Sequence, residues 1–329
     1  MYSGHYWYKS GVNEKIINDL KEIAKIGMEY MNKDEVWLDI GANDCTLLKA
    51  LPDNVLKVGC EPAKNFRYDL ALNTNLYIND FWTFENYFNL DIRKAKVITA
   101  IGMFYDMEDP SQFVRDARRV LTEDGVFIAQ LMTLRPMLEK NDLGNICHEH
   151  LEYYSYESLK FLFESNGLEI FKVEENDING GSYRIFARHQ KKGSIDYPEN
   201  TTKKDIDRFY KRLEKNKKQT VSFIEKEIKR GRKVYGYGAS TKGNTILQWY
   251  GLDHRHITGI SDRNPDKIGK YTVGTNVPVV SEAEARKNAD YFLALPWGFL
   301  DGFMKREEKF LQGGGHFLTH TPNFSVISF

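Results

Sequence analysis

Cysteine is scarce in this chain. Cys45, Cys60 and Cys147 are the only three, and none stands in a C-x-x-C pair, which argues against both a zinc site and a disulfide framework. No apolar run is long enough to cross a bilayer, and the N-terminus lacks a secretory-leader layout. A soluble, cytoplasmic protein without membrane attachment is therefore expected. Neither sign of charge is in excess: 46 Lys and Arg balance 46 Asp and Glu, so no polyanion such as a nucleic acid is indicated as a partner. What is plentiful is aromatic, with 19 Tyr and 20 Phe, which suits pockets for flat or sugar-like ligands and equally suits core packing.

At 329 residues there is chain enough for two domains, each with its own core. The organising stretch is V-W-L-D-I-G-A-N-D-C-T-L-L, from Val36 to Leu48. It reads as a buried parallel strand to Ile40, a turn through Gly41, and a helix that Asn43 or Asp44 caps. A glycine turn with free helical N–H groups suits an adenosine cofactor at the strand ends. A dinucleotide needs G-x-G-x-x-G, and only Gly41 is present. A pyrophosphate would be repelled by Asp39 and Asp44, whereas an ammonium and ribose hydroxyls would not. One strand later, V-G-C-E-P sets Glu61 where an acid accepts both hydroxyls of a ribose. This loop and strand-end acid resemble the S-adenosylmethionine site of class I methyltransferases.

Ahead of this stretch, the aromatic start M-Y-S-G-H-Y-W-Y-K-S-G offers the hydroxyls of Tyr6, Tyr8 and Ser10, either as a lid over the cofactor or as a staple on the next helix. That helix, Asn13 to about Met31, carries Ile16, Ile17, Leu20, Ile23 and Ala24 at helical spacing. Further strands are predicted at Lys57–Cys60, Leu76–Ile78, Lys96–Ala100 and Gly125–Leu131, with a helix over Gln112–Leu121. Asp80 and Phe81, after the third strand, are placed to meet an adenine amino group and ring. Ala100 ends the fourth strand beside the first, where the reactive end of the cofactor would lie, and Tyr105 and Asp106 follow it toward the acceptor.

The densest chemistry is N-I-C-H-E-H, where His148, Glu149 and His150 stand in a loop before a helix at Tyr156–Asn166. The histidines lack the i, i+4 spacing of a helical zinc site, no third ligand is evident, and no metal is expected. General acid–base work suits an imidazole oriented by an acid, although a hydrogen-bonded structural loop has the same composition. A closing hairpin (Leu168–Val173 and Tyr183–Ala187) is joined by N-D-I-N-G-G-S, whose Asn179, Gly181 and Ser182 either present N–H groups to an anion or make a turn, with Arg184 just beyond. A polar linker leads to a long helix, Thr202–Arg230. Then K-V-Y-G-Y-G-A-S-T-K-G-N-T opens a second βα unit in which Tyr237, Ser240, Lys242 and Asn244 form a candidate phosphate cradle without P-loop spacing. Asp262 and Arg263 end its second strand, and Trp297 stands in L-P-W-G-F.

These stretches, in this order, resemble the S-adenosylmethionine-dependent sugar C-methyltransferases, which methylate a carbon of nucleotide-linked 4-keto-6-deoxysugars. The resemblance rests on Y-x-Y-x-S-G, D-I-G-A-N-D, G-C-E-P-A-x-N, H-E-H-L-x-Y-Y-S, N-G-G-S-Y-R, Y-G-A-S-T-K-G-N-T and D-R-N-P-x-K. It implies an α/β architecture: a class I methyltransferase Rossmann-like domain (residues 1–190, with the N-terminal segment as lid), a linker and long helix (191–231), and a smaller doubly wound nucleotide-sugar domain (232–329). It also implies that His150, assisted by Glu149 and His148 and with Tyr8 nearby, removes the proton beside the ketone before methyl transfer. A nucleotide sugar is then the partner, and the chain a monomer or weak homodimer. The family's N-terminal cysteine-rich zinc segment is missing, Cys147 replaces a common Tyr, and Tyr105–Asp106 stand where members place a His. The last two changes bear on the acceptor. Transfer to oxygen or nitrogen of another nucleotide-linked acceptor, or nucleotide binding without catalysis, are the alternative readings.

Overall fold

The structure is a computed structural model that describes residues 4–199 and 201–329; the first three residues of the aromatic start lie outside it. Along the chain, α1 (Glu14–Met28) leads to β1 (Val36–Ile40), α2 (Thr46–Lys49), β2 (Leu56–Cys60), α3 (Arg67–Asn73) and β3 (Leu76–Ile78). Next come α4 (Phe84–Phe88), β4 (Ala95–Ile101), α5 (Pro110–Val120), β5 (Leu121–Met132), α6 (Leu134–Lys140), α7 (Tyr156–Ser165), β6 (Leu168–Asn176) and β7 (Ser182–His189). The remainder is α8 (Lys203–Lys229), β8 (Val234–Tyr237), α9 (Thr241–Tyr250), β9 (Ile260–Asp262), β10 (Val279–Ser281), α10 (Glu282–Asn288), β11 (Tyr291–Ala294), α11 (Leu300–Arg306), α12 (Glu308–Gln312), β12 (His316–Thr319) and β13 (Ser325–Ile327).

Two compact units result: Met1–Thr133 with Leu151–Asn200, and Leu134–His150 with Thr201–Phe329. The first holds a seven-stranded sheet in the order β3-β2-β1-β4-β5-β7-β6, parallel from β3 to β5, with β7 running antiparallel between β5 and β6. The predicted closing hairpin is this β6–β7 pair. The second unit repeats the scheme on a smaller scale, β10-β9-β8-β11-β12-β13, parallel except for the edge strand β13. In both sheets the strand order reverses between the first strand and its later neighbour, β4 or β11, which opens a crevice at the strand ends. The segment 134–150, which sequence places inside a first domain reaching residue 190, packs with the second unit together with α8. Arg212 of α8 shows why: it donates to the Asn141 side chain and to the Leu138 carbonyl, both at 2.6 Å.

The aromatics mostly pack. Phe104, Phe113, Phe127 and Phe163 form a chain of ring contacts in the first unit, edge-on, tilted or stacked, with centroids 5.4–6.4 Å apart. Each such fully buried side chain contributes about 1.5–3 kcal/mol. Helix α1 forms where the sequence places it: Asn13 caps it by accepting from the Lys15 N–H at 3.0 Å, and Ile16, Leu20, Ile23 and Ala24 turn inward. Its last turn rests on Trp37 of β1, which is fully buried and donates from Nε1 to the Thr99 hydroxyl at 3.0 Å. Gly27 makes that approach possible, because a Cβ there would lie 2.1 Å from the Trp37 ring.

The helix after β1 differs from expectation. It begins only at Thr46, because Asn43 and Cys45 hold left-handed backbone (φ 51° and 61°); Asn43 caps nothing, whereas Asp44 accepts from the Thr46 N–H at 3.3 Å. Gly27→Ala is expected to cost about 1–3 kcal/mol of first-unit stability by forcing Trp37 aside. Urea denaturation followed by Trp fluorescence checks this, and an unchanged midpoint would show that the helix can shift at no cost.

Candidate functional site

In the first unit the strand ends carry acids. Asp39, next to last in β1, is only 3% exposed, and its carboxylate accepts from the Thr99 hydroxyl at 2.6 Å. Burial, with the Glu61 charge adding to it and the Thr99 hydrogen bond opposing, pushes its pKa up to about 7. Glu61 follows β2, and its two oxygens accept from the backbone N–H groups of Asn43 and Ala63, each at 2.9 Å. Burial raises its pKa as well, against those two hydrogen bonds. One carboxylate thus ties the loop after β1 to the loop after β2, and each oxygen keeps a further lone pair.

Asn43 and Asp44, expected at a cofactor, also hold the N-terminal segment. Asn43 accepts from the Ser10 N–H at 3.0 Å and donates to the Tyr8 carbonyl at 3.1 Å; Asp44 accepts from the Gly11 N–H at 2.8 Å. Asn65 grips Tyr6 in the same way, accepting from its N–H at 2.9 Å and donating to its carbonyl at 3.2 Å. Each amide side chain imitates a β-strand neighbour, so residues 6–11 form a strap across the loops after β1 and β2. Tyr8 as a whole is 44% exposed, but its hydroxyl end is enclosed, which together with the Asp44 charge pushes its pKa up to about 12, while a hydrogen bond with Ser10 opposes the shift. Asn65 was not singled out from sequence; the matching stretch G-C-E-P-A-x-N ends on it and was the available signal.

Other expected residues are placed otherwise. Gly41 takes φ 79°, and a Cβ there would meet the Met103 side chain at 2.8 Å, so Met103 rather than open space faces this glycine. Asp80 and Phe81 are exposed, and Asp80 accepts from the Phe81 N–H at 2.8 Å; Ala100 is fully buried in β4. Tyr105 is buried and donates to the Gly102 carbonyl at 2.8 Å, beside half-buried Asp106. Asn179 and Gly181 shape the turn before β7 (φ 54° and 133°), and Ser182 donates to the Ile178 carbonyl. Arg184 binds no open site. It is 3% exposed and bonded to Asp19 at 2.8 Å, Gln130 at 2.9 Å and Glu174 at 3.2 Å. Asp19 also accepts from Gln130 at 2.6 Å, and burial raises its pKa. That network went unseen; its signal was an acid on the apolar face of α1, between Ile16 and Leu20.

The second unit builds its own site on α9. Ser240 caps the helix by accepting from the Gly243 N–H at 3.0 Å. Lys242 Nζ donates to the Asn145 side chain and lies 3.9 Å from the buried Asp142 carboxylate. Thr241 donates to Glu149 at 3.3 Å, and His150 Nδ1 lies 2.8 Å from the Asn145 carbonyl oxygen. A carbonyl only accepts, so Nδ1 carries the proton and Nε2 keeps its lone pair. Burial, then the Lys242 charge, lowers the His150 pKa to about 4. His148 is exposed, Cys147 half-buried with its thiol pushed up by burial, and half-buried Asn244 has a side-chain oxygen without a hydrogen bond.

Asp262 repeats Glu61: it accepts from the Ala239 and Asn264 N–H groups, each at 2.8 Å, and so ties the loop after β8 to the loop after β9. Arg263 is exposed and Trp297 half-buried. Tyr237 is a core residue. It lies among Phe292, Phe303 and Phe317 and donates to Glu307 at 2.6 Å.

A family profile described as a methyltransferase domain matches residues 8–173, and another, described as a C-methyltransferase C-terminal domain, matches residues 177–322. With half of it covered by the first profile alone, the chain belongs to the S-adenosylmethionine-dependent methyltransferase family. Residues 177–322 are in addition similar to the C-terminal domain of C-methyltransferases. The C-methyltransferase NovU of Streptomyces niveus is 28% identical over 346 residues, spanning 99% of this chain and 82% of that protein. Among solved structures, the CcbJ methyltransferase of Streptomyces caelestis is 16% identical, with 53% of this chain and 90% of that one covered and a TM-score of 0.40. The magnesium protoporphyrin IX methyltransferase of Synechocystis PCC 6803 with bound SAH is 9% identical, over 53% and 83%, at 0.43.

The acids of the first unit fit this cofactor. Asp39, Asp44 and Glu61 suit a sulfonium, an ammonium and a ribose diol and would repel a pyrophosphate, and burial raises the pKa values of Asp39 and Glu61, a penalty that a bound cation would offset.

Two measurements follow from this geometry. Asn65→Ala and Asn43→Ala are each expected to speed hydrogen exchange at the Tyr6 and Ser10 amides, respectively, roughly tenfold, in line with the loss of about 1 kcal/mol per hydrogen bond. Unchanged exchange would mean the strap is held by other contacts. For pH, the folded protein keeps a proton on Asp39 up to about 7, while the unfolded chain releases it near the model-peptide value of 3.8, so Asp39 lowers stability as pH rises between those values. The stability advantage of Asp39→Asn over the cofactor-free parent should therefore grow by roughly 1–3 kcal/mol from about pH 5 to about pH 7.5 in urea unfolding. A constant difference would show that Asp39 is ionised throughout.

Proposed function

We propose that this methyltransferase is a C-methyltransferase acting on a nucleotide-linked keto-deoxysugar, and that His150 removes the proton from the carbon next to the ketone. The observation that carries the reading is the His150 imidazole: neutral at physiological pH, with Nδ1–H given to the Asn145 carbonyl, so that Nε2 is the basic nitrogen of the ring. A hydrogen next to a carbonyl is acidic enough for an imidazole base when the developing oxyanion is stabilised. Glu149, held by Thr241, fixes the loop on which the base stands. The first turn of α9, with the positive end of its helix and Lys242, suits the diphosphate, and Asp262 with Arg263 suits the nucleoside.

In the first unit, Asp39, Asp44 and Glu61 would hold S-adenosylmethionine, with Tyr8 and Ser10 of the strap over it. The cofactor supplies an electrophilic methyl group. Burial of Asp39 and Glu61 excludes water from their side of the site. The likeness to NovU agrees with transfer to carbon, and the D-R-N-P-x-K and G-A-S-T-K-G-N-T stretches lend the nucleotide-sugar reading its support.

His150→Asn is expected to reduce solvent deuterium exchange at the acceptor carbon, and methyl transfer with it, by about 10²–10⁴-fold, while S-adenosylhomocysteine binding stays as in the parent. Mass spectrometry of dTDP-, GDP-, CDP- and UDP-linked keto-deoxysugars incubated in heavy water checks this. A fully active variant would refute the base, and no exchange or methylation on any of these acceptors would refute the substrate class.

A further inference from the structure

The four groups around the first turn of α9 are connected more closely than separate binding and catalytic roles require. Asp142 is 2% exposed, and one of its carboxylate oxygens has no hydrogen bond. Lys242 Nζ stands 3.9 Å from that oxygen and donates to the Asn145 side chain. The backbone carbonyl of the same Asn145 accepts from His150 Nδ1. The lysine that suits an anion and the histidine that suits a proton are therefore fixed to opposite ends of one buried residue, 5% exposed. Lys242 on α9 and His148 in the same loop both act on His150 through their charge; of the neighbouring acids, Glu149 is bonded to Thr241 and Asp142 lies beside Lys242.

We propose that Lys242 is a positioning residue that couples anion binding to base strength: the diphosphate of the acceptor, drawn to Lys242, cancels the ammonium charge beside His150 and turns a weak base into an effective one. This deepens the proposed function and rests on it for the roles of His150 and Lys242. The physical basis is direct. A cation beside an imidazole disfavours the protonated ring, and a bound anion removes that disadvantage. Lys242 depresses His150 in the anion-free protein, second only to burial. The ammonium is held in place by Asn145 and Asp142, so its charge stays beside the histidine until an anion arrives. A base that strengthens only when the acceptor's phosphates are seated would leave the methyl donor unreactive toward wrong partners.

The test is a titration of His150 in the full-length protein by NMR of ¹⁵N-histidine, with its resonance identified among the eight histidines by His150→Asn. The parent should show the Nδ1–H tautomer and titrate well below free histidine, and saturating inorganic pyrophosphate should raise the midpoint by about one pH unit or more. Lys242→Met should show the raised midpoint without pyrophosphate and no further response to it, while Lys242→Arg should keep the low value. A parent midpoint that ignores bound pyrophosphate, or a folded Lys242→Met that titrates as the parent does, overturns the coupling. The titration needs no turnover, so it fails separately from the proposed function: a responsive His150 in a protein inactive on every sugar nucleotide keeps the coupling and removes only the substrate.

Discussion

A carboxylate at the end of the second strand holds each unit's crevice in shape. Glu61 and Asp262 do the same thing by the same geometry: one oxygen accepts an N–H from the loop after the first strand, the other accepts the N–H two residues further along its own chain. Two loops that would otherwise turn their free N–H groups toward water are drawn together around one charge. Charged acceptors make the stronger hydrogen bonds, so losing either acid would leave two backbone donors unpaired as well as removing a charge.

The consequences differ between the units because the neighbours differ. In the first, Glu61 lies near buried Asp39, and beyond it Asn43 and Asn65 hold the strap; the crevice is acidic and partly covered. That suits a cationic cofactor with a ribose. In the second, the loop tied by Asp262 leads into α9, where Lys242 faces the His150 loop and the helix N-terminus adds its own positive end. That suits an anionic acceptor. One backbone scheme thus carries two crevices of opposite charge, and the side chains around the carboxylate make the distinction.

Much of this was legible in the sequence. Local rules fix the strands and their order of appearance: β1 and β3 lie where the apolar runs predict them, and β2, β4 and the long helices differ only at their ends. The H-E-H stretch, the G-A-S-T-K-G-N-T turn and the strand-end acids Asp39, Glu61 and Asp262 declare themselves as chemistry because such residues seldom stand in buried turns without a partner or a ligand. Local pattern misleads where a residue's partner is far away in sequence. Arg184 looks available but is enclosed by Asp19, Gln130 and Glu174; Tyr237 looks like part of a phosphate cradle but is core; Asn43 looks like a helix cap but grips a segment 33 residues earlier.

What the sequence alone determined, then, is two α/β units, a class I methyltransferase layout in the first, and the set of residue types able to do the chemistry, because these follow from periodicity, turn residues and short motifs that act within a few positions of one another. Only the tertiary structure decided that 134–150 packs with the second unit, that His150 carries its proton on Nδ1, that Lys242 acts on its charge, and that the N-terminal strap is clamped by Asn43 and Asn65. The physical reason is that tautomers, pKa values and clamps are set by groups within hydrogen-bonding or Coulombic reach in space, and in this chain such groups lie far apart in sequence, 165 residues in the case of Asp19 and Arg184.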